Sequence, residues 1–307
     1  FPELSITAYT CADLFYQSTL LQSAQRELSR ILNETAKSSI IFLVGLPLVQ
    51  NGRMFNVAAV CQSGKILGVV PKMYLPNYNE FYEKRWFTSG KDITSNVVTL
   101  CGQTVPFASE LLFGDDEVKF AVEICEDVWV PLAPSNFHAL NGAQIIFNLS
   151  TSNDLSGKNA YLQQMLQQQA SKCVTGYVYA SSGFGESTTD LVFGGNGYII
   201  ENGRFLAKSE RFSFDEQLII SEIDVESLNL DRLKNSGFYR GKTDLTKAYT
   251  TVEAPLREIE LTKLYRPVSS HPFMVAESQM DERCKEIFSI QVGGLATRLH
   301  HTGIQTA

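Results

Sequence analysis

The chain has 307 residues, 44% hydrophobic and 19% charged, an ordinary globular composition with length for one large domain or two smaller ones. A formal net charge of -7 with no long basic run argues against a nucleic-acid surface, and no apolar stretch approaches the ~20 residues of a membrane span. Six cysteines without CxxC spacing and four scattered histidines give no zinc signature, so no metal is expected; the cysteines suit free thiols in a reducing cytoplasm.

In chain order, Phe1-Pro2-Glu3 reads as the end of a strand, the proline closing regular pairing. Ala12 to Leu32 carries an apolar stripe at helical spacing, including Phe15, Leu21, Ala24, Leu28 and Leu32. Ile40 to Leu48 (IIFLVGLPL) is a continuous apolar run, as expected of a strand buried on both faces. Asn56 to Cys61 and Lys65 to Val70 flank Gln62-Ser63-Gly64 and read as a hairpin, with Lys72 directly after it. Asn77 to Ser89 (NYNEFYEKRWFTS), rich in aromatics and charges, reads as a loop over a site. Val97–Leu100, Thr104–Phe107 and Val118–Ile124 are strand candidates, the last leading into Cys125. A short helix at Ser135–Asn141 precedes a buried strand, Gln144 to Leu149, whose polar end, Asn148 to Asn153, is a natural place for substrate contacts. Lys158 to Cys173 reads as a helix and Tyr177 to Ser181 as a strand. Leu191–Ile200 and Arg204–Ser209 form a hairpin around Glu201-Asn202-Gly203. A strand at Gln217–Val225 and a helix at Glu226–Leu233 follow. Gly194-Gly195-Asn196-Gly197 is weak as a phosphate loop, because a strand-like run follows it and not a helix. Strands that alternate with helices give an α/β class.

The pattern divides the chain at residue 235. Residues 236–270, with many Lys, Arg, Thr and Tyr and little periodicity, read as a linker or a surface-hugging arm. In 271–307, His271-Pro272-Phe273 precedes a helix over 281–300.

Chemistry concentrates at three places. The run Lys119 to Ile124 ends in Cys125, then Glu126 and Asp127, a strand that delivers a thiol to a sheet rim. Taken alone, such a cysteine is as readily a small buried hydrophobe. Glu3 and Lys72 each stand beside a proline at the edge of an apolar segment, where a solvated charge is the plain reading. A thiol nucleophile requires a base and a donor for the developing oxyanion, and a carboxylate and an ammonium supply them. Asp127 is read as a brace for the turn after Cys125.

Glu3, Lys72 and Cys125 in this order resemble the catalytic set of the nitrilase (carbon–nitrogen hydrolase) superfamily. The words FPELSITAYTCADLF, PKMYLPNYNEFYEKRWF, EICEDVWVP and STTDLVFGGNGYII resemble the glutaminase domain of the glutamine-dependent NAD synthetases. The resemblance runs nearly end to end. It implies a four-layer αββα sandwich over residues 1–235, with a further strand and helix, about 30–50 residues, before Phe1. The tail RCKEIFSIQVGGLATRLHHTGI resembles the first helix of the ATP-dependent synthetase domain, whose phosphate-gripping SGGxDS loop is absent from this chain.

The implied activity is hydrolysis of the L-glutamine side-chain amide through a γ-glutamyl thioester. Glu3 is the general base and Cys125 the nucleophile, while Lys72 and the N–H after Cys125 hold the oxyanion. Glu83 is implied as an extra carboxylate that steadies Lys72, and Tyr78, Trp129, Ser152 and Lys158 as substrate contacts. A lysine at 158 offers a point charge where some relatives are expected to offer an arginine fork. The glutaminase domain needs no cofactor; ATP, Mg and deamido-NAD belong to the synthetase domain. A cytoplasmic homo-oligomer is implied. The alternatives are a stand-alone nitrilase-type amidase for another amide and an inactive scaffold.

Overall fold

The continuous apolar run becomes Ile41–Gln50 (β1), paired along its length with Arg53–Gln62 (β2), which in turn pairs with Lys65–Pro71 (β3). This antiparallel three-stranded sheet comes from a computed structural model describing residues 1–238, 248–257, 259–271 and 280–304. The β2–β3 hairpin turns on two residues, not three. Ser63 and Gly64 both take left-handed backbone angles, so Gln62 pairs with Lys65.

A second sheet has seven strands in the order β11-β10-β9-β8-β7-β6-β12. They are Leu111–Gly114 (β6), Lys119–Ile124 (β7), Ile145–Ser150 (β8), Gly176–Ser181 (β9), Gly197–Glu201 (β10), Arg204–Lys208 (β11) and Thr250–Glu253 (β12). Strands β7, β8 and β9 run parallel, joined through helices Pro134–Leu140 (α2) and Lys158–Cys173 (α3). Their carboxyl ends therefore share one edge, which gathers Cys125, Ser150, Ser152 and Ser181. Val97–Leu100 (β4) and Gln103–Pro106 (β5) form a separate hairpin.

Three apolar layers make this a four-layer αββα sandwich. Leu28 and Leu32 of Ser18–Glu34 (α1) pack on Val44, Leu46, Phe55 and Val57 of the small sheet. Its other face, with Leu43, Ala58 and Val60, packs on Phe113, Val122, Ile124 and Leu149 of the large sheet. The outer face of the large sheet, with Ala121, Ile146 and Tyr177, meets Leu162, Leu166 and Ala170 of α3. Sheets covered on both faces explain strands that read as unbroken apolar runs.

The observed elements depart from expectation in several places. Phe1 and Pro2 join no strand and Glu3 to Thr7 forms turns, yet the segment is fastened along β1. The Phe1 amino group donates to Leu43 O (3.2 Å), Gly45 N–H to Ser5 Oγ (3.1 Å) and Ile6 N–H to Gly45 O (3.1 Å). The first helical stripe is split: Ala12–Tyr16 is a 3₁₀ turn, and Gln17 is extended before α1. Gln217 to Asp224 forms no ladder, and Leu218 is 84% exposed; Asp224 instead caps Val225–Lys234 (α4) by accepting Ser227 N–H at 2.9 Å.

The residues divide into two units, Phe1–Arg266 and Pro267–Ala307. Within the first, the stretch read as a linker or arm contributes β12, which pairs in parallel with β6, and Arg266 ion-pairs with Glu201 at 2.7 Å. Residues 239–247 and 258 of that stretch lie outside the described residues, as do Pro272, Phe273 and the last three residues of the tail. In the second unit, Met280–Thr302 (α5) spans the helix predicted over 281–300. Among the described residues no helix is long and apolar enough to cross a membrane.

Candidate active site

Lys72 follows β3 at the point where the strand leaves the sheet, its N–H held by Asn56 O at 2.9 Å. Its ammonium is fully buried and touches two carboxylates, Glu3 Oε1 at 2.7 Å and Glu83 Oε1 at 2.6 Å. Burial opposes the charged form of Lys72, but the flanking Glu3 and Glu83 charges more than offset it and hold its pKa well above the usual value. Two of the three ammonium N–H donors are thereby committed, and one is left to point elsewhere.

Glu3 reaches this centre because its segment runs against Gly45, where a Cβ would lie 2.2 Å from Leu4 N. Leu4 itself takes a left-handed angle. Asn56 Nδ2 donates to Glu3 Oε1 at 2.6 Å, whereas Glu3 Oε2 is buried with no hydrogen-bond partner, an oxygen placed to accept a proton. Glu83 opens a 3₁₀ turn and accepts the Tyr9 hydroxyl at 2.8 Å. Burial raises its pKa, Lys72 pulls it down and Glu3 pushes it up again. Glu83 thus stands with Lys72, away from the open cavity that the other predicted contacts line.

Cys125 sits where β7 ends, 6% exposed, at φ 43°. Its thiol is pushed up to about 12, first by burial and then by the Glu3 charge, against the opposing pull of Lys72 and a Ser150 hydrogen bond. It therefore rests as a thiol and depends on a base to react. Asp127 braces the turn as expected, and more widely. It accepts Ile124 N–H (2.9 Å), Met73 N–H (3.1 Å) and Tyr74 N–H (2.8 Å), tying the thiol's turn to the strand end that carries Lys72.

A cavity of about 200 Å³ opens beside Cys125, and Tyr78, Trp129, Ser152 and Lys158 all line it. Lys158 Nζ lies 5.4 Å from the Trp129 ring centroid and donates to Asn153 Oδ1 at 2.5 Å. Tyr78, 51% exposed, donates to Glu126 Oε1 at 2.9 Å. The Ser152 N–H donates to Ser181 Oγ at 3.2 Å. Of the three candidate catalytic residues, Cys125 lines this cavity, while Glu3 and Lys72 are buried outside its lining and act on the thiol electrostatically; a thiol so backed by a carboxylate and an ammonium can cleave an amide through a covalent thioester.

Sequence reasoning missed Asn56 and Tyr9, and it placed Asn148 in a stretch for substrate contacts, whereas the Asn148 Oδ1 accepts the Cys125 N–H at 3.1 Å. Asn56 carried a signal: it is a lone amide inside the otherwise apolar run of β2.

The carbon–nitrogen hydrolase family profile matches residues 1–232. A glutamine-dependent NAD(+) synthetase from Mycobacterium bovis is 37% identical over 97% of this chain and 45% of its own length. The crystal structure of a glutamine-dependent NAD(+) synthetase from Cytophaga hutchinsonii superposes with a TM-score of 0.61 at 27% identity, over 70% of this chain and 34% of that one. A carbon–nitrogen hydrolase from Helicobacter pylori shares the fold, with a TM-score of 0.61 at 22% identity over 81% and 86% of the two chains. The chain spans less than half the length of these curated mycobacterial synthetases.

Proposed function

The chain belongs to the carbon–nitrogen hydrolase family, and on that premise we propose that it is the glutamine amidohydrolase part of a glutamine-dependent NAD synthetase, releasing ammonia for an ATP-dependent amidation. The observation that carries this is the buried Glu3–Lys72–Glu83 cluster beside Cys125, in a chain 97% of which aligns with part of such a synthetase. That similarity favours this reading over a stand-alone amidase, and the intact acid, ammonium and thiol favour it over an inactive scaffold.

In this mechanism Glu3 Oε2 takes the Cys125 proton as sulfur attacks the amide carbon of glutamine. The remaining Lys72 N–H, with the Glu126 backbone N–H, receives the oxyanion; loss of one such donor typically costs about 3–4 kcal/mol. The Cys125 N–H is not available for this, being held by Asn148. Glu3 returns the proton to the amide nitrogen, the C–N bond breaks and ammonia departs. Water, deprotonated by Glu3, then cleaves the thioester to glutamate and the free thiol. Glu83 keeps Lys72 in place, and Tyr78, Trp129, Ser152 and Lys158 hold the substrate, with Lys158 facing its carboxylate.

Hydrolysis at this centre uses no cofactor. ATP, Mg²⁺ and deamido-NAD belong to the adenylating half, of which residues 271–307 are the start and 236–270 the connecting arm. The working form is a cytoplasmic homo-oligomer. In the full-length enzyme, Cys125→Ala is expected to abolish glutamine-supported NAD formation while free ammonia still supports it. Unchanged glutamine-supported synthesis in that variant would remove the thiol from the reaction.

A further inference from the structure

Cys125 is a non-glycine residue in the left-handed region, a conformation that persists only where its surroundings over-determine it. Its N–H donates to Asn148 Oδ1 at 3.1 Å, and Asn148 Nδ2 donates to the Tyr177 hydroxyl at 3.1 Å. Tyr177 donates in turn to Glu123 Oε1, and Glu123 Oε2 accepts the Ser135 N–H at 2.8 Å. Glu123, Asn148 and Tyr177 are all fully buried; Glu123 and Asn148 are paired neighbours on β7 and β8. None of them has a place in the hydrolysis described above.

The direction of this relay is fixed by its ends. Both Cys125 N–H and Ser135 N–H are backbone donors that cannot turn round. Burial raises the Glu123 pKa, and the donors around it, Tyr177, the Ser135 hydroxyl and N–H and the Asn148 amide, oppose that shift; ionised, it accepts from them. The Tyr177 proton is then spent on Glu123, so the Tyr177 oxygen can only accept. It takes the Asn148 NH₂, and this leaves the Asn148 carbonyl oxygen facing Cys125. A neutral amide at 123 reverses the two inner steps. Its oxygen must face Ser135 and its NH₂ must face Tyr177, so the hydroxyl donates to Asn148 instead. Asn148 then turns its NH₂ toward the Cys125 N–H, donor against donor.

We propose that Glu123 and Tyr177 are positioning residues that orient the Asn148 amide and thereby hold the Cys125 backbone in its reactive geometry. This rests on the reading of Cys125 as the nucleophile. The test is glutamate release by the full-length protein carrying Glu123→Gln, Tyr177→Phe, both together, or Cys125→Ala, with melting curves for each. Glu123→Gln is expected to lower kcat about 10- to 100-fold with KM within about threefold. Tyr177→Phe, which leaves Asn148 free to face Cys125, lowers it about threefold. The double variant returns to the Tyr177→Phe level, because deleting the hydroxyl removes the reversed donor. A merely structural pair would give additive losses, and additive losses or an unaffected Glu123→Gln would overturn the relay. If Glu123→Gln does not fold, a folded and active double variant still supports it; a double variant that also fails to fold overturns it. An inactive Cys125→Ala beside additive relay variants removes the relay alone, whereas a fully active Cys125→Ala removes the nucleophile on which it rests.

Discussion

Replacing Lys72 by methionine keeps the volume of the side chain and removes the one cation that Glu3 and Glu83 share, at 2.7 and 2.6 Å. Both carboxylates are fully buried, and each already has an outer oxygen with no hydrogen-bond partner. Breaking a buried pair in this way leaves uncompensated charge and costs about 3–5 kcal/mol. The cost must depend on pH, and its sign follows from Glu83. Burial raises its pKa even with Lys72 present, so without Lys72 its folded-state value lies higher still. A carboxyl raised in the folded state contributes its stability below the unfolded value and loses it as pH rises through the folded one. Lys72→Met is therefore expected to be more destabilised at about pH 8 than at about pH 5, measured by urea unfolding. Lys72→Met/Glu83→Gln removes one of the two charges and should recover about half of the loss or more. A Lys72→Met variant as stable as wild type at the higher pH, or a double variant no better than the single, would refute the reasoning.

The remaining expectations test separate parts of the centre. Lys158→Met should raise KM for glutamine about 10-fold or more while kcat changes little, since a lost charge-assisted contact to the substrate acts on binding. Gly45→Ala drives a Cβ to 2.2 Å from Leu4 N, so it should cost about 1–3 kcal/mol in urea unfolding and depress glutaminase activity by moving Glu3. With its thiol near 12, Cys125 should be alkylated by iodoacetamide about tenfold faster per pH unit between about pH 8 and about pH 10, read by peptide mass spectrometry.

What was legible in the sequence followed from periodicity and from abrupt breaks in it. Lys158–Cys173 was read with the bounds the structure gives it, because Leu162, Leu166 and Ala170 recur at helical spacing on a buried face. Cys125 stood out as a thiol at the end of an apolar strand, and the doubly covered strands as unbroken runs. Gln217 to Val225 misled for the same reason: its alternation imitates a strand, but the apolar residues Leu218 and Ile220 are exposed. Strand β12 is four residues long, too short for a period to register. Tyr9 is illegible as a site residue because it acts on a partner 74 positions away through one atom, and Asn56, though marked as the lone amide in β2, gives no sign of its partner 53 positions away. Such contacts depend on how the layers stack, which no local pattern encodes.

The absence of histidine from this centre places a demand on its charges. One ammonium between two ionised carboxylates would leave the cluster net negative, which opposes both proton removal from Cys125 and the oxyanion that follows. The raised pKa of Glu83 eases that demand: burial and the nearby Glu3 charge favour a proton there, against the pull of Lys72 and the Tyr9 hydrogen bond. The smaller the charge on Glu83, the more nearly Glu3 and Lys72 balance. When Glu3 takes the thiol proton it becomes neutral, and the negative charge reappears on the substrate oxygen beside the free Lys72 N–H. Charge crosses the centre while its sum stays constant, so a dry site need not solvate a net change. Glu83 therefore matters less as a second base than as the group that holds Lys72 in place with a raised pKa that limits the negative charge around it.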